Sequence, residues 1–194
     1  MIPDPPMDYT TISPVDVRTE LEAIAADADT AFGRLDARQL NWKPDASRWS
    51  VAQCLEHLLT ANGHMAEMAD QALDGTKGRT LWQRLPVWPG LLGRMLVRTQ
   101  SPDATRRFKA PGKAQPAASA IDAAVVGRFL DQQCALIAKL DAVATRDLAG
   151  VVMASPFLGI VTYSVLDGWR LIVAHERRHV QQARRVMATP GFPG

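Results

Sequence analysis

Cysteine is nearly missing from this chain: two in 194 residues, Cys54 and Cys134, with no CxxC spacing. A disulfide framework is therefore excluded, and a reduced, cytoplasmic setting is expected. Net charge is also nearly missing, because 22 Lys and Arg stand against 20 Asp and Glu. A balance of +2 gives no electrostatic case for nucleic-acid binding by the chain as a whole. The first residues, MIPDPPMDYT, carry two aspartates and three prolines instead of a basic start and an apolar run. No cleaved leader is expected there, only a flexible lead over 1–12. The one long uncharged run, Leu148 to Leu166, is interrupted by Gly150, Ser155, Pro156, Gly159, Thr162 and Ser164. These are turn and cap residues, so the run reads as a loop feeding a helix and not as a membrane span. Internal repeats and low-complexity tracts are missing as well.

What is present is an ordinary globular composition, 47% hydrophobic and 22% charged, enough for one core and one domain over 1–194. Helical periodicity dominates, and four long patterns stand out. The first opens at Ser13-Pro14, a cap followed by proline in the first turn, and runs through Val15, Leu21, Ile24, Ala28 and Phe32 to about Asp36. The second follows Ser50 through Leu55, Leu58, Asn62 and Met65 to about Gly75. The third is expected from Ser119, with Asp122 completing a box-like cap, through Phe129, Leu136 and Leu140 to near Thr145. The fourth starts near Thr162 or Ser164 and continues through Trp169, Ile172, His175, His179 and Val186, stopping before Pro190-Gly191. Short connections make the first pair antiparallel, and likewise the last pair. The long, proline-containing crossover over 76–118 lets the middle two helices run parallel, and Leu91 to Val97 is its one short apolar piece. The expectation is an all-α four-helix bundle.

Histidine is scarce too, and its placement is informative. His175 and His179 stand four apart in the last helix, so their rings lie about 40° apart and ~6 Å along the axis, within reach of one ion. Residues 175 to 179 read HERRH, which formally matches the HExxH pattern of zinc proteases, with Glu176 as the general base. The tail after His179, VQQARRVMATPGFPG, offers no third ligand, and no strand pattern precedes the helix, so the protease reading is set aside. A third ligand must come from upstream. His57 and His64 are the candidates, and at seven residues apart, ~10 Å along a helix, only one of them reaches the same ion.

The phrase LNWKPDASRWSVAQCLEHL, with Trp42, Pro44, Trp49, Ser50 and His57, resembles the junction of the first two helices in the DinB/YfiT-like family. The C-terminal stretch from Ser155 to Pro193 does so as well, with Pro156, Gly159, His175, His179, Gln182 and the closing Gly-Phe-Pro. The resemblance covers nearly the whole chain. It implies a four-helix bundle with parallel middle helices, a divalent metal held by His57, His175 and His179, and often a homodimer. Members with an assigned activity look like metal-dependent thiol S-transferases, or isomerases that use a low-molecular-weight thiol.

Three neutral imidazoles would leave coordination positions open on zinc or nickel, or on iron or manganese. An open position could activate water, as in a hydrolase, or a thiol, as in an S-transferase acting on a small molecule. It could also serve a non-catalytic metal-binding or interaction protein. Glu176 could support a ligand or act as base, although a solvated residue between Arg177 and Arg178 is the plainer expectation. Gln182 could hydrogen-bond a ligand or a substrate. Cys54, one turn before His57, could be a fourth ligand, with a small core residue the plainer expectation. From Lys77 to Lys113 nine Lys or Arg face one acid, Asp103, a balance of +8 that leaves −6 elsewhere. With Trp82, Trp88, Leu91 and Met95 interleaved, that crossover could meet anionic lipid, an acidic partner or an anionic thiol. The expected role is a solvated lid whose tryptophans pack on the bundle.

Overall fold

The computed structural model of the chain describes residues 7–75, 88–104, 115–116 and 120–194. Its elements, in order, are α1 (Pro14–Phe32), α2 (Ala37–Asn41), α3 (Val51–Leu73), α4 (Trp88–Gln100), α5 (Val125–Ala142), β1 (Val152–Ala154), β2 (Thr162–Ser164) and α6 (Val165–Met187). The four long helical patterns correspond to α1, α3, α5 and α6. Their starts follow local chemistry. Ser13 and Asp16 close a reciprocal capping box at α1, Ser50 and Gln53 another at α3, and the Ser164 side chain accepts from Asp167 N at α6. Gly75, directly after the Asp74 cap of α3, adopts φ +67°, a conformation that ends a helix and that glycine tolerates best, and Gly191 takes φ +88° in the turn beyond α6.

Cross-helix contacts give the topology. Leu59 O accepts from Gln132, Asp70 pairs with Lys139 and Leu73 O accepts from Arg146, so α3 and α5 run parallel. Ile12, Glu20 and Asp27 meet Arg170, Arg177 and Arg184 in the same order, so α1 and α6 are parallel too. Trp49 just before α3 meets His179, His57 meets His175, and Met65 meets Tyr163 just before α6, a reversed order that makes α3 and α6 antiparallel. The parallel middle pair expected from the long crossover is present. Val17, Leu21, Ile24, Phe32, Leu55, Leu58, Phe129, Ile172 and Val173 share one buried cluster at the centre, the term that drives the helices together.

Several details depart from the sequence reading. α1 ends at Phe32 instead of Asp36, because Asp36 turns into the N-cap of the unforeseen α2, accepting from Gln39 N at 2.8 Å. α5 begins at Val125 with no side-chain cap. Ser119 lies outside the described residues, and Asp122 forms a turn onto Ala124 N instead of a capping box. The segment before α6, expected to be loop, holds an antiparallel ladder pairing Val152 with Ser164, Met153 with Tyr163 and Ala154 with Thr162. Three-residue strands are too short to show alternation. The apolar piece in the crossover is a 13-residue helix, α4, which tolerates Pro89 because it falls in the first turn. The lead expected to be flexible is packed from Tyr9 to Ile12: Tyr9, Thr10 and Ile12 are buried, and Arg170 donates to Ile12 O at 2.8 Å. Lys77, Arg79, Trp82, Arg84, Arg106, Arg107, Lys109 and Lys113 lie outside the described residues. Among the described residues no helix is long and apolar enough to cross a membrane.

Candidate metal centre

Three histidines converge where the first half of α3 meets the middle of α6. The capping box at Ser50 starts α3 so that its second turn carries His57 inward. The apolar stripe of Ile172, Val173 and Val180 turns α6 so that His175 and His179 face α3. One ring nitrogen from each of the three lies within 4.8 Å of the others. The ring centroids are 4.6 to 4.9 Å apart with steep interplanar angles, an edge-on arrangement that aims nitrogens rather than ring faces. His57 and His179 are buried, and His175 is the partly exposed member. His64 lies apart, with its ring against Phe157. Two upstream histidines were open candidates, and the structure brings His57 to the pair.

The electrostatics select the neutral form. Burial pushes the His179 ring down to about 3, with His57, Arg178 and Arg185 pushing the same way against a hydrogen bond that the ring donates to Gln182. Burial, followed by His179 and His57, also drives His175 well below the ordinary histidine range. Nε2 of His57 and Nε2 of His175 stand 3.1 Å apart and can share only one proton. His179 Nδ1 is buried with no hydrogen-bond partner. A partnerless buried nitrogen beside rings held neutral is a costly arrangement by itself and part of a fitting donor set for a cation. Among the described residues no carboxylate or cysteine joins the three. The buried cluster could hold a metal ion.

The neighbours sort differently from the sequence expectations. Glu176 is fully buried, not a solvated residue, because the side of α6 that follows His175 faces both α3 and α5. Its Oε1 accepts 2.6 Å hydrogen bonds from Asn62 Nδ2 and Gln133 Nε2, and burial raises its carboxyl to about 7 against those two donors. Arg177 points the other way, onto Glu20 and Asp27 of α1 at 2.7 Å each. Gln182 reaches His179, as the spacing allowed. Cys54 is buried in the core, and desolvation pushes its thiol up to about 12, so it is a packing residue and not a fourth ligand.

The sequence reading missed the polar layer of Asn62, Gln132 and Gln133, and the position of Trp49. The Trp49 ring stacks on His179 at 5.7 Å and 22° and tilts onto His57 at 5.0 Å. Asn62 and Gln133 occupy core-facing helix positions, and that mismatch of polarity and face was the available signal. A cavity of about 280 Å³ opens between α3 and α5, lined by Asn62, Gly63, Gln132 and Lys139 among others, and none of the three histidines lines it.

A family model, that of the DinB superfamily, matches residues 20–183. The chain belongs to the DinB superfamily. The match runs from within α1 through most of α6, so all three histidines fall within it. No curated protein and no solved structure matches the chain. The helical architecture is a DinB-like fold, and the histidine cluster sits between two of its long helices.

Proposed function

We propose that this DinB-superfamily protein is a metal-dependent thiol S-transferase, with His57, His175 and His179 as ligands of one divalent ion. The observation that carries the reading is the all-imidazole composition of the cluster. Three neutral rings leave the full charge of a dication uncompensated, and Arg178 and Arg185 add positive potential at His179. Such a site favours an anionic incoming ligand, and a thiolate is the anion for which family resemblance supplies a use. A bound divalent cation supplies the charge that lowers the pKa of a thiol into the neutral range.

The chain's own residues supply the rest. His57 from α3 and His175 and His179 from α6 would fix the ion between two helices, and Gln182 would orient the His179 ring. Trp49 covers one side of the cluster, and His175 is its partly exposed member. In the reaction the thiol S–H bond breaks, its proton passes to solvent, a C–S bond forms to the electrophile, and the leaving group departs with its electron pair. Zinc and nickel are the proposed ions. The homodimer, the single-domain organisation and the cytoplasmic location are proposed with them, from resemblance, chain length and cysteine usage. The hydrolase alternative has less support, since the carboxyl that would act as base, Glu176, is fully buried and held through Oε1 by Asn62 and Gln133.

Elemental analysis of untagged protein tests the first half: about one equivalent of metal, lost in His175→Ala, is expected. Loaded protein is then assayed with small thiols and an aryl halide, whose halide is the leaving group. Metal without turnover would leave a non-catalytic metal-binding protein, and no metal after reconstitution would remove both readings.

A further inference from the structure

The helix in the crossover presents a surface that the histidine cluster does not explain. α4 is held to the bundle by one face: Val97 is fully buried, Gly93 lies so close to α6 that a side chain there would collide with the Asp167 carboxylate, and Arg178 donates to Thr99 O at 2.7 Å. Fixing that face fixes the other. Leu91, Arg94, Met95 and Arg98 follow one another at helical spacing of three, one and three residues and all point to solvent. Leu91 is 57% exposed and Met95 51%. The side chains of Trp82 and Trp88 lie outside the described residues.

We propose that this face of α4 docks the protein on an anionic phospholipid surface. Aliphatic side chains alternating with arginines on a rigid exposed helix face match a headgroup boundary, where Leu and Met enter the acyl edge and the guanidinium groups meet phosphate. The flanking sequence supplies the long-range attraction, since residues 77–113 carry +8 and the remainder −6. A second copy of the chain is a poorer occupant, because self-association through this face sets a strongly cationic segment against itself. Nucleic acid is poorer too, since Leu91 and Met95 would lie against phosphate.

Flotation of the full-length protein with phosphatidylcholine vesicles, with and without phosphatidylglycerol, tests the proposal. Binding is expected to the mixed vesicles alone and to weaken steeply with salt. Arg94→Gln with Arg98→Gln should lower partitioning about thirtyfold, and Leu91→Ser with Met95→Ser at least about tenfold. All four residues are exposed, so the helical circular dichroism and metal content of the variants should match the parent. No binding to mixed vesicles, or binding that both double variants retain, overturns the proposal. So does loss of a dimer in Leu91→Ser with Met95→Ser without loss of flotation, or binding to polyglutamate or RNA in place of vesicles.

Discussion

The Trp49 indole lies nearly parallel to the His179 imidazole, 22° between planes and 5.7 Å between centroids, and 5.0 Å from the His57 ring. A tryptophan this close to the cluster reports on its contents. Titrating nickel or copper into apo protein should quench part of the indole emission, and Trp49→Phe should abolish that metal-dependent part while leaving the emission of the other tryptophans. Quenching that persists in Trp49→Phe would separate the ion from this cluster.

Substitution of the histidines should discriminate among the four. His57→Ala, His175→Ala and His179→Ala each remove a convergent nitrogen and should abolish retained metal, whereas His64→Ala, which loses a ring contact with Phe157, should keep it. The check is metal content after dialysis, and equal retention in all four variants would sink the ligand assignment.

The Glu176 carboxylate ties α6 to α3 and α5 through Asn62 and Gln133. Glu176→Ala strands two buried amide donors, each worth ~1–3 kcal/mol when left unsatisfied, so a loss of about 3 kcal/mol or more is expected in urea unfolding. Glu176→Gln keeps an acceptor oxygen and should lose less. A tie that is structural predicts unchanged metal stoichiometry in the Gln variant.

Acid should weaken the apo protein through the cluster. The folded state holds His179 neutral down to about 3 and His175 in the same direction, while in the unfolded chain histidine takes up its proton near 6.5. The unfolded state therefore binds more protons as pH falls, and stability attributable to these rings is present above about 6.5 and declines toward about 3. Chemical denaturation of apo protein across that window should show a steeper decline for the parent than for His175→Ala with His179→Ala.

The two thiols should differ sharply. Cys134 is exposed and Cys54 is buried with its thiol pushed up to about 12, so a disulfide reagent should label one cysteine in the native protein and both in denaturant. Cys134→Ser should bring native labelling close to zero.

The long helices were legible because cap residues and apolar spacing agree: Ser13, Ser50 and Ser164 open helices whose faces are set by residues such as Leu21, Leu58 and Ile172. The convergence of His175 with His179 was legible from a spacing of four. The choice of His57 over His64 was legible only through the family resemblance, because both lie on one face of α3 and spacing alone does not decide between them; the packing of α3 on α6 does. The hairpin before α6 was hidden by strands of three residues. Glu176 was misplaced because its sequence neighbours, Arg177 and Arg178, suggested solvent, whereas successive helix positions point about 100° apart and can face different partners.

His57 and His175 are 118 positions apart in the chain and 3.1 Å apart at their nearest nitrogens. An ion gripping both would act as a removable staple across most of the polypeptide, pinning the antiparallel α3–α6 seam and closing a loop whose entropy cost is otherwise carried by apolar packing and the Asn62–Glu176 hydrogen bond. Chelators would then loosen that seam before the α1–α5 side, and metal supply would govern how long each molecule survives proteolysis.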